Sequence, residues 1–292
     1  MYKKAYGIIE TLAPLHVGAS AGEEAGNLNL IFRDQFTQTG IIPGSSIRGR
    51  FRADMREGGI GSENDCYGHE AEKGNSESTT EAQVKFEYAS LVWLPVFCPG
   101  QPVVWVSCPR LLRRYQQITQ SPLIDINSVK AYTVKLEKHR KVLFFNLGYL
   151  TDLKENLQLS NWVPSGLKSP PNNLVIVADK DIGIIHEMAL YRQTRTKLED
   201  DVKKVKHFFG VEALPEGSIL VFPSAIKEKK NADAEISWED GLKLAEWEAN
   251  PSNAAHDNSI SKELYFGGLE SIGFGRCHVT LSGKYFETEK KS

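Results

Sequence analysis

The sequence predicts an α+β fold, and three features of the chain support this class. Apolar segments of strand length recur at residues 84–94, 102–107, 174–179 and 218–222. Amphipathic patterns of helical period lie between some of these segments. Strand and helix patterns do not alternate in the regular rhythm of βαβ units, so α+β is favoured over a doubly wound parallel sheet.

The first elements predicted are a strand, a loop and a turn. The apolar segment at residues 6–15 predicts a strand. Residues 19–26 are small or acidic and predict a loop, and residues 27–33 predict an extended segment. A Pro43-Gly44 turn follows, in which the proline presets its own backbone and the glycine is expected to adopt a positive φ angle.

The helix after this turn combines an apolar stripe with a basic face. Ser45 or Ser46 is expected to be its N-cap, and no Glu or Gln at the N3 position competes for the first amide groups. Helical spacing separates the apolar Ile47, Phe51 and Met55 from the basic Arg48, Arg52 and Arg56, with Arg50 beside the basic row. Free amides, hydroxyls and arginines suit a phosphate, but an ordinary helix with a solvated basic face fits the same pattern.

The middle of the chain predicts a loop and two further helices. Residues 58–83 are rich in Gly, Ser, Glu, Asn and Thr and predict a mobile loop or lid. A helix begins at Ser107 or Pro109, and another runs from Asp181 to about Leu190. The buried face of the first of these helices is expected to consist of Leu111, Leu112 and Tyr115.

The C-terminal part predicts a charged hairpin, a helix and a glycine-rich loop. Residues 194–206 form two β-compatible arms around an acidic turn, which predicts a projecting hairpin. A helix is expected near residues 239–249, and a glycine-rich loop within 264–280 leads into a final strand.

We expect a single domain over residues 1–292, with insertions at about 58–83, 191–210 and 225–262. The 292 residues are 41% hydrophobic and 25% charged, as in a soluble globular protein. The net charge of −2 means that a nucleic-acid surface would have to be a local patch. The N-terminal segment lacks the apolar core of a signal peptide, and no apolar run approaches the length of a membrane span, so we expect a cytoplasmic protein without a membrane partner.

The cysteines and histidines predict no metal site. Cys66 and His69 have the spacing of half a zinc site, but no second pair lies nearby. Cys98 and Cys108 adjoin predicted strands and are expected to be core thiols, and reduced thiols suit all four cysteines including Cys277.

Candidate acid–base groups lie near the first strand. His16 follows this strand and has the chemistry of an acid–base group or a nucleic-acid contact, although a lone histidine is more often structural. Glu23, Glu24 and Asp34 are acids that could activate a 2′-hydroxyl, although loop carboxylates are solvated by default.

Three basic segments suit the backbone of a nucleic acid. These are the arginine helix, the run at residues 135–141 and the hairpin arms at 195–206. Together they could line a groove that follows a phosphate backbone, whereas each alone is commonly a solvated face.

Several motifs along the chain resemble those of the RAMP superfamily of CRISPR proteins. Ile42-Pro-Gly-Ser-Ser-Ile-Arg-Gly-Arg-Phe-Arg52 resembles its IPGSSLKG helix start, and Leu15-His-Val-Gly18 resembles its LHxG motif. Arg33-Asp34 is similar to its RD pair, and Gly267-Gly-Leu-Glu-Ser-Ile-Gly-Phe-Gly275 is similar to its glycine-rich loop.

Other segments are similar to the fourth subunit of the Cmr (type III-B) complexes. They are residues 84–97, Trp105-Val-Ser-Cys-Pro109, Leu112-Arg-Arg-Tyr115, Thr194-Arg195 and Val211-Glu-Ala-Leu-Pro215. The resemblance extends over nearly the whole chain.

The resemblance implies a repeating backbone subunit of a type III CRISPR effector complex, in antiviral or anti-plasmid interference. Such subunits have an RRM-like, ferredoxin-type core with a mostly antiparallel sheet, inserted lid loops and a β-hairpin thumb. The implied partners are CRISPR RNA, target RNA, copies of the chain or related RAMP subunits in a filament, and other type III effector subunits.

The resemblance also assigns RNA-binding roles. Ser45, Ser46, Arg48 and Arg52 would hold phosphates of the guide, with Arg50 and His16 nearby. The glycine loop would support the guide backbone, and the hairpin would be the thumb that interrupts the guide–target duplex. The residues implied in these two segments are Gly267, Gly268, Gly273 and Gly275, and Thr194, Arg195, Lys197, Lys203 and Lys204.

One departure from the family pattern concerns catalysis. RAMP subunits that cleave target RNA carry an aspartate six residues before the acid of the RD pair, but in this chain that position is Leu28, flanked by Asn27 and Asn29. An asparagine cannot act as a general base as a carboxylate does. We therefore expect a guide-binding scaffold without a firmly implied cofactor, and Mg²⁺ only if the chain cleaves RNA.

Two alternatives stay open. The first is an active endoribonuclease that cuts target RNA at regular intervals, with Glu23, Glu24 or Asp34 as its acid. The second is a protein-interaction domain with no RNA contact of its own.

Overall fold

The computed structural model describes residues 1–18, 28–69, 80–120, 127, 129–138, 140–198, 205–227, 237–249 and 258–287. The predicted candidates Glu23, Glu24, Asn27, Lys203 and Lys204 lie outside these residues. None of the helices in the described part is long and apolar enough to cross a membrane.

The described residues form seventeen strands and five α-helices. The strands are β1 (Tyr2–Thr11), β2 (Leu28–Asn29), β3 (Ile41–Ile42), β4 (Val84–Phe86), β5 (Ala89–Phe97), β6 (Val103–Ser107), β7 (Thr133–Lys135), β8 (Leu143–Phe145), β9 (Gly148–Leu150), β10 (Lys154–Glu155), β11 (Leu174–Ile176), β12 (Tyr191–Leu198), β13 (Val205–Ala213), β14 (Ile219–Lys227), β15 (Glu248–Ala249), β16 (Ile260–Tyr265) and β17 (Arg276–Ser282). The helices are α1 (Gly44–Glu57), α2 (Glu63–Tyr67), α3 (Pro109–Thr119), α4 (Ile182–Ala189) and α5 (Trp238–Leu244), with 3₁₀ turns at Leu157–Trp162 and Glu270–Ile272.

One large sheet of twelve strands organises the chain. Its centre has the order β5-β14-β1-β17, and all three of these pairings are antiparallel. In the sequence, α1 lies between β1 and β5, and α5 lies between β14 and β17. β6, β11, β7 and β10 extend the sheet beyond β5, and β16 and β15 extend it beyond β17. Only β11 with β6 and β10 with β7 pair in parallel within this sheet, so the predicted α+β class with a mostly antiparallel sheet is confirmed.

A second, smaller sheet consists of the β12–β13 hairpin and β2. The two hairpin strands pair from Tyr191 with Ala213 to Leu198 with Val205, and β2 adds to β13 in parallel. β8 and β9 form a separate two-stranded hairpin.

The large sheet is buried on both faces. On one face α1 and α5 meet in an aromatic cluster, in which the Phe51 ring lies 5.3 Å from Trp247 and 6.1 Å from Phe222. On the other face α3 and the first 3₁₀ turn cover Trp93, whose indole Nε1 donates to the Trp162 carbonyl at 2.9 Å. As predicted, Leu111, Leu112 and Tyr115 form the buried side of α3.

The structure corrects several predicted boundaries. The strand predicted at 6–15 runs from Tyr2 to Thr11. The segment 84–94 divides into β4 and β5, and only two residues of the extended segment 27–33 form a strand. The helix expected near 239–249 ends at Leu244 because its last predicted turn forms β15.

The predicted loop at 58–83 also contains structure that its composition concealed. Its residues Glu63–Tyr67 form α2, which buries Cys66 and Tyr67 in the core. The Tyr67 hydroxyl accepts a hydrogen bond of 2.8 Å from the Trp238 indole on α5. All four cysteines are free and buried, and burial raises the pKa of Cys108 to about 12.

Candidate functional site

The start of α1 differs from the prediction in two respects. The helix begins at Gly44, and neither Ser45 nor Ser46 caps it with its side chain. The Pro43 carbonyl accepts from the amide of Ser46 at 3.0 Å and of Ile47 at 3.1 Å. Gly44 does not adopt a positive φ angle; a Cβ there would lie 2.6 Å from the Phe86 carbonyl oxygen, so close packing requires the glycine.

The arginines of α1 are not equivalent. Arg50 pairs with Glu57 at 2.8 Å, and Arg52 donates to the Asn64 side chain at 2.8 Å. Arg48 is exposed and forms no ion pair with any residue that the structure describes. Arg48 and the two serine hydroxyls are therefore the groups at this helix start that have no protein partner within the described chain.

His16 connects the end of β1 to the hairpin. Its Nδ1 lies 2.6 Å from the Glu212 carbonyl oxygen, which can only accept, so Nδ1 carries the proton. Its own carbonyl accepts from the Gly268 amide at 3.0 Å. His16 is buried, with 8% of its surface exposed.

The glycine loop divides into packed and open positions. A Cβ on Gly267 would lie 2.0 Å from the His16 carbonyl oxygen, and one on Gly275 would lie 2.4 Å from the Phe266 carbonyl oxygen. Cβ atoms on Gly268 and Gly273 would meet nothing within 4 Å among the described atoms. Two glycines thus permit close packing, while the other two leave backbone open on the surface.

The base of the β12–β13 hairpin packs against this loop. Phe274 of the loop lies among Val211 and Ala213 of β13, and its ring is 5.8 Å from Tyr191. Arg195 lies over the Phe209 ring at 5.6 Å. Thr194 is exposed on β12, where Lys197 also lies. The structure therefore brings together His16, the glycine loop and the hairpin base. Among the described residues, no hydrogen bond or ion pair joins them to the arginines of α1.

A network of four charged residues anchors the hairpin base. Arg33 pairs with Glu187 of α4 and, at 2.8 Å, with Glu212 of β13. Arg192 of β12 pairs with Glu212 at 3.0 Å and with Glu187 at 2.5 Å. Each carboxylate thus bridges both arginines, and the side chain of Glu212 is only 2% exposed.

The sequence did not predict this network, although two of its residues lie in segments that resemble family motifs. Arg33 belongs to the RD pair and Glu212 to the segment Val211–Pro215, but neither received a role. Glu187 and Arg192 had no distinguishing signal, because each is an ordinary charged residue at the end of an element.

His186 lies beside this network as a buried neutral group. Its Nε2 accepts from the Gly40 amide at 2.9 Å, and its Nδ1 has no hydrogen-bond partner among the described residues. Burial, and then the charges of Arg33 and Arg192, lower the pKa of His186 to about 3.

This pKa predicts a pH dependence of stability. The unfolded chain binds a proton at His186 near pH 6.5 and the folded chain does so only near pH 3, so this contribution is complete above pH 6.5 and is lost as pH falls towards 3. Between these pH values the unfolded chain binds nearly one proton more at His186 than the folded chain does. The free energy of unfolding therefore changes by about 1.4 kcal/mol per pH unit from this group. Urea unfolding at pH 4, 5, 6 and 7 should give a shallower dependence for His186→Gln than for the unmodified chain. Equal slopes for the two proteins would contradict this account.

Asp34 is the one candidate catalytic acid within the described residues. Its Oδ1 accepts from the Phe36 amide at 3.0 Å, the Thr37 amide at 2.8 Å and the Thr37 hydroxyl at 2.9 Å. Burial raises the pKa of Asp34, but the hydrogen bonds from Thr37 and Phe36 favour the ionised form and together outweigh burial. The pKa of Asp34 therefore lies below its ordinary value. Asp34 therefore holds the turn at residues 34–37 as an ionised acceptor.

The position of the missing family aspartate lies against the hairpin. Leu28 and Asn29 form β2, which pairs with Gly210 and Val211 of β13. No cluster of three His, Cys, Asp or Glu side chains that could hold a metal occurs in the described ranges.

This fold, with a glycine loop and a hairpin gathered at the end of the first strand, defines the chain as a RAMP-type protein. The sequence model of the RAMP superfamily matches residues 8–278, and the chain belongs to this superfamily. The resemblance drawn from its motifs is confirmed.

Among solved structures, the chain is similar to those of type III-B Cmr complexes. A chain in the cryo-EM structure of type III-B Cmr-beta bound to cognate target RNA is 19% identical, with a TM-score of 0.68 and coverage of 95% of this chain and 96% of that one. A crystal structure of Cmr4 is 14% identical, with a TM-score of 0.63 and coverage of 96% and 98%. Oligomeric Cmr4 from Pyrococcus furiosus is 14% identical, with a TM-score of 0.61 and coverage of 97% and 99%. The fold is thus that of Cmr4. No curated protein matches the chain.

Proposed function

We propose that the chain is a CRISPR RNA-binding backbone subunit of a type III effector complex, which acts in the cytoplasm in antiviral or anti-plasmid interference. Membership of the RAMP superfamily and the Cmr4 fold support this assignment. One neighbour is described as bound to target RNA and another as oligomeric. The proposed partners are accordingly guide RNA, target RNA, further copies of the chain and other subunits of the complex.

The convergence of His16, the glycine loop and the hairpin base is the observation that carries the proposal. At Gly268 and Gly273 the backbone is open, which suits close approach of a phosphate–sugar backbone at these two positions. The loop is held in place from beneath by the hydrogen bond between Gly268 and His16 and by the packing of Phe274. A rigid platform of this kind reduces the entropy lost on binding.

The topology supports an RRM-like core and a thumb. The strands β1, β5, β14 and β17, with α1 and α5 as the connecting helices, have the chain order and antiparallel neighbours of a ferredoxin-type βαββαβ unit. The β12–β13 hairpin extends from this core between α4 and β14, and we assign it the role of the thumb that interrupts the guide–target duplex.

The start of α1 is the second proposed RNA contact. Ser45, Ser46 and Arg48 would hold a guide phosphate, since they lie at a helix N-terminus without competing protein partners in the described chain. Arg50 and Arg52 would take a supporting part only, because their guanidinium groups are already engaged with Glu57 and Asn64.

Reversing the charge at Arg48 should weaken RNA binding. We expect Arg48→Glu to lower affinity for single-stranded RNA roughly tenfold or more, and to reduce the slope of log K against log salt by about one, because one charge-assisted phosphate contact is lost. Filter binding at several salt concentrations measures both quantities. Arg56→Glu is the matched control, since Arg56 is exposed near the other end of the same helix. Equal losses in the two variants would argue against a contact at the helix start.

The rival functions have their own test. Cleavage of a labelled target by the assembled complex, lost on Glu23→Ala, Glu24→Ala or Asp34→Ala, would replace the binding role with that of a Mg²⁺-dependent endoribonuclease. The commitment of Asp34 to its turn supports the binding role. Absence of nucleic acid absorbance in the purified complex would instead favour a protein-interaction domain.

A further inference from the structure

A cavity of about 260 Å³ lies between the turn at residues 34–39 and α3. Its lining includes the apolar or aromatic side chains of Phe36, Tyr88 and Leu111 and the polar side chains of Thr37, Arg110 and Arg114. None of the RNA contacts proposed above uses this cavity. Pockets for drug-sized ligands are about 300–1,000 Å³, so this cavity has room for a smaller chemical group.

Each arginine at the cavity lies over an aromatic ring. The Arg114 guanidinium carbon is 4.2 Å from the centroid of Tyr88, and that of Arg110 is 5.9 Å from the centroid of Phe36. Aromatic faces and guanidinium planes are the two protein surfaces on which unstacked nucleobases pack. The cavity therefore presents flat surfaces of both kinds.

Phe36 is largely exposed, although the Arg110 guanidinium group lies over its ring. Its side chain is 78% exposed, although the turn that carries it is fixed by the hydrogen bonds to Asp34. Holding a large apolar ring in water on a rigid turn stabilises the folded chain little, whereas it would prepare the ring for a stacking partner.

Two neighbouring residues hold the Arg114 side chain at the cavity. Its Nε donates to the Ser90 hydroxyl at 2.9 Å, which fixes the guanidinium group. Its Nη2 lies 3.5 Å from the Glu87 carboxylate and is buried, but makes no hydrogen bond to any described residue. The Arg114 side chain is therefore ordered before a ligand enters, so little conformational entropy is lost when a flat group packs against its guanidinium plane.

We propose that this cavity binds one unstacked nucleobase of single-stranded RNA, packed against Phe36, Tyr88 and the guanidinium plane of Arg114. This inference rests on the proposed RNA-binding function and adds to it a base-binding site separate from the phosphate contacts. A bare phosphate fits less well, because it would leave the aromatic rings uncovered and would lie near the ionised Asp34 carboxylate in the cavity lining.

The test separates base binding from backbone binding. The complete chain is titrated with a short single-stranded RNA and with the same RNA in which every base is removed, for the unmodified protein and for Phe36→Ala. The unmodified protein should lose affinity on the abasic RNA, and Phe36→Ala should lose roughly 5- to 100-fold on normal RNA with little loss on abasic RNA. Tyr88→Ala and Arg114→Gln should behave alike, with thermal unfolding to show that each variant is folded.

The chain also offers matched control variants. Phe97 is another exposed phenylalanine, and Arg113 is an exposed arginine of α3 next to Arg114 in the sequence. Phe97→Ala and Arg113→Gln should leave both affinities unchanged. Equal losses for Phe36→Ala on normal and abasic RNA, or no loss on either, would overturn the base site.

The outcomes also separate this inference from the function on which it rests. If the unmodified protein binds neither RNA, the proposed function fails as well. If the unmodified protein binds both RNAs and the cavity variants bind them with the same affinity, the base site fails and the proposed function stands. A Phe36→Ala protein that binds RNA normally but does not assemble with copies of itself would assign the cavity to a protein contact and overturn the proposal.

Discussion

Replacing Glu212 with alanine should lower the free energy of unfolding by about 2–3 kcal/mol. The carboxylate of Glu212 is almost fully buried and bridges Arg33 and Arg192. Its loss leaves both guanidinium groups dependent on Glu187, which lies 40% exposed at the edge of the network. Because the Glu212 carboxylate is buried and pairs with two arginines, the cost exceeds that of a surface pair.

Chemical denaturation of the variant and of Glu216→Ala measures this effect. Glu216 lies four residues further along the chain and is exposed, so its replacement should change stability by no more than about 0.5 kcal/mol. Glu212→Gln keeps the shape and removes the charge, and should fall between the two. A Glu212→Ala protein as stable as the Glu216→Ala control would show that the network contributes nothing net.

Gly267→Ala should destabilise the chain by about 3 kcal/mol or more. Gly267 has a φ angle of +76°, which costs an alanine about 1–2 kcal/mol, and the added Cβ would lie 2.0 Å from the carbonyl oxygen of His16. That oxygen belongs to the backbone and already accepts from the Gly268 amide, so it cannot move without loss of a hydrogen bond.

The neighbouring Gly268 provides the control. It has no positive φ angle, and a Cβ there meets nothing within 4 Å in the described chain, so Gly268→Ala should be close to neutral for stability. Thermal unfolding of the two variants compares them directly. Similar losses in both would mean that the loop is not held against His16 as the structure has it.

Local signals in the sequence predicted a large part of the fold. Helical spacing of Leu111, Leu112 and Tyr115 identified the buried side of α3, and the segment from Asp181 to Leu190 contains α4. These features depend on residues a few positions apart. Where neighbours across the chain decide the structure, as for β15, which pairs with β16, local spacing predicted a longer helix instead.

The candidate site was predictable only in part, because its contacts join distant residues. Arg33 meets Glu187 across 154 positions and Glu212 across 179 positions. The basic row on α1 was visible from spacing, but the acceptors that occupy Arg50 and Arg52 were not, since these depend on how α2 and the end of α1 pack. The sequence shows the glycines of the C-terminal loop as a group. It does not show which of them are packed, because this depends on backbone atoms such as the His16 carbonyl that lie far away in the chain.

Coverage of both sheet faces has a consequence for how a ligand can approach. A bare RRM stacks bases on aromatic side chains of an open sheet surface. Here α1 covers Phe222 and the first 3₁₀ turn covers Trp93, so neither of these aromatic rings of the described sheet is open for a base to stack on. A ligand would therefore have to approach the loops and the hairpin at the periphery of the sheet.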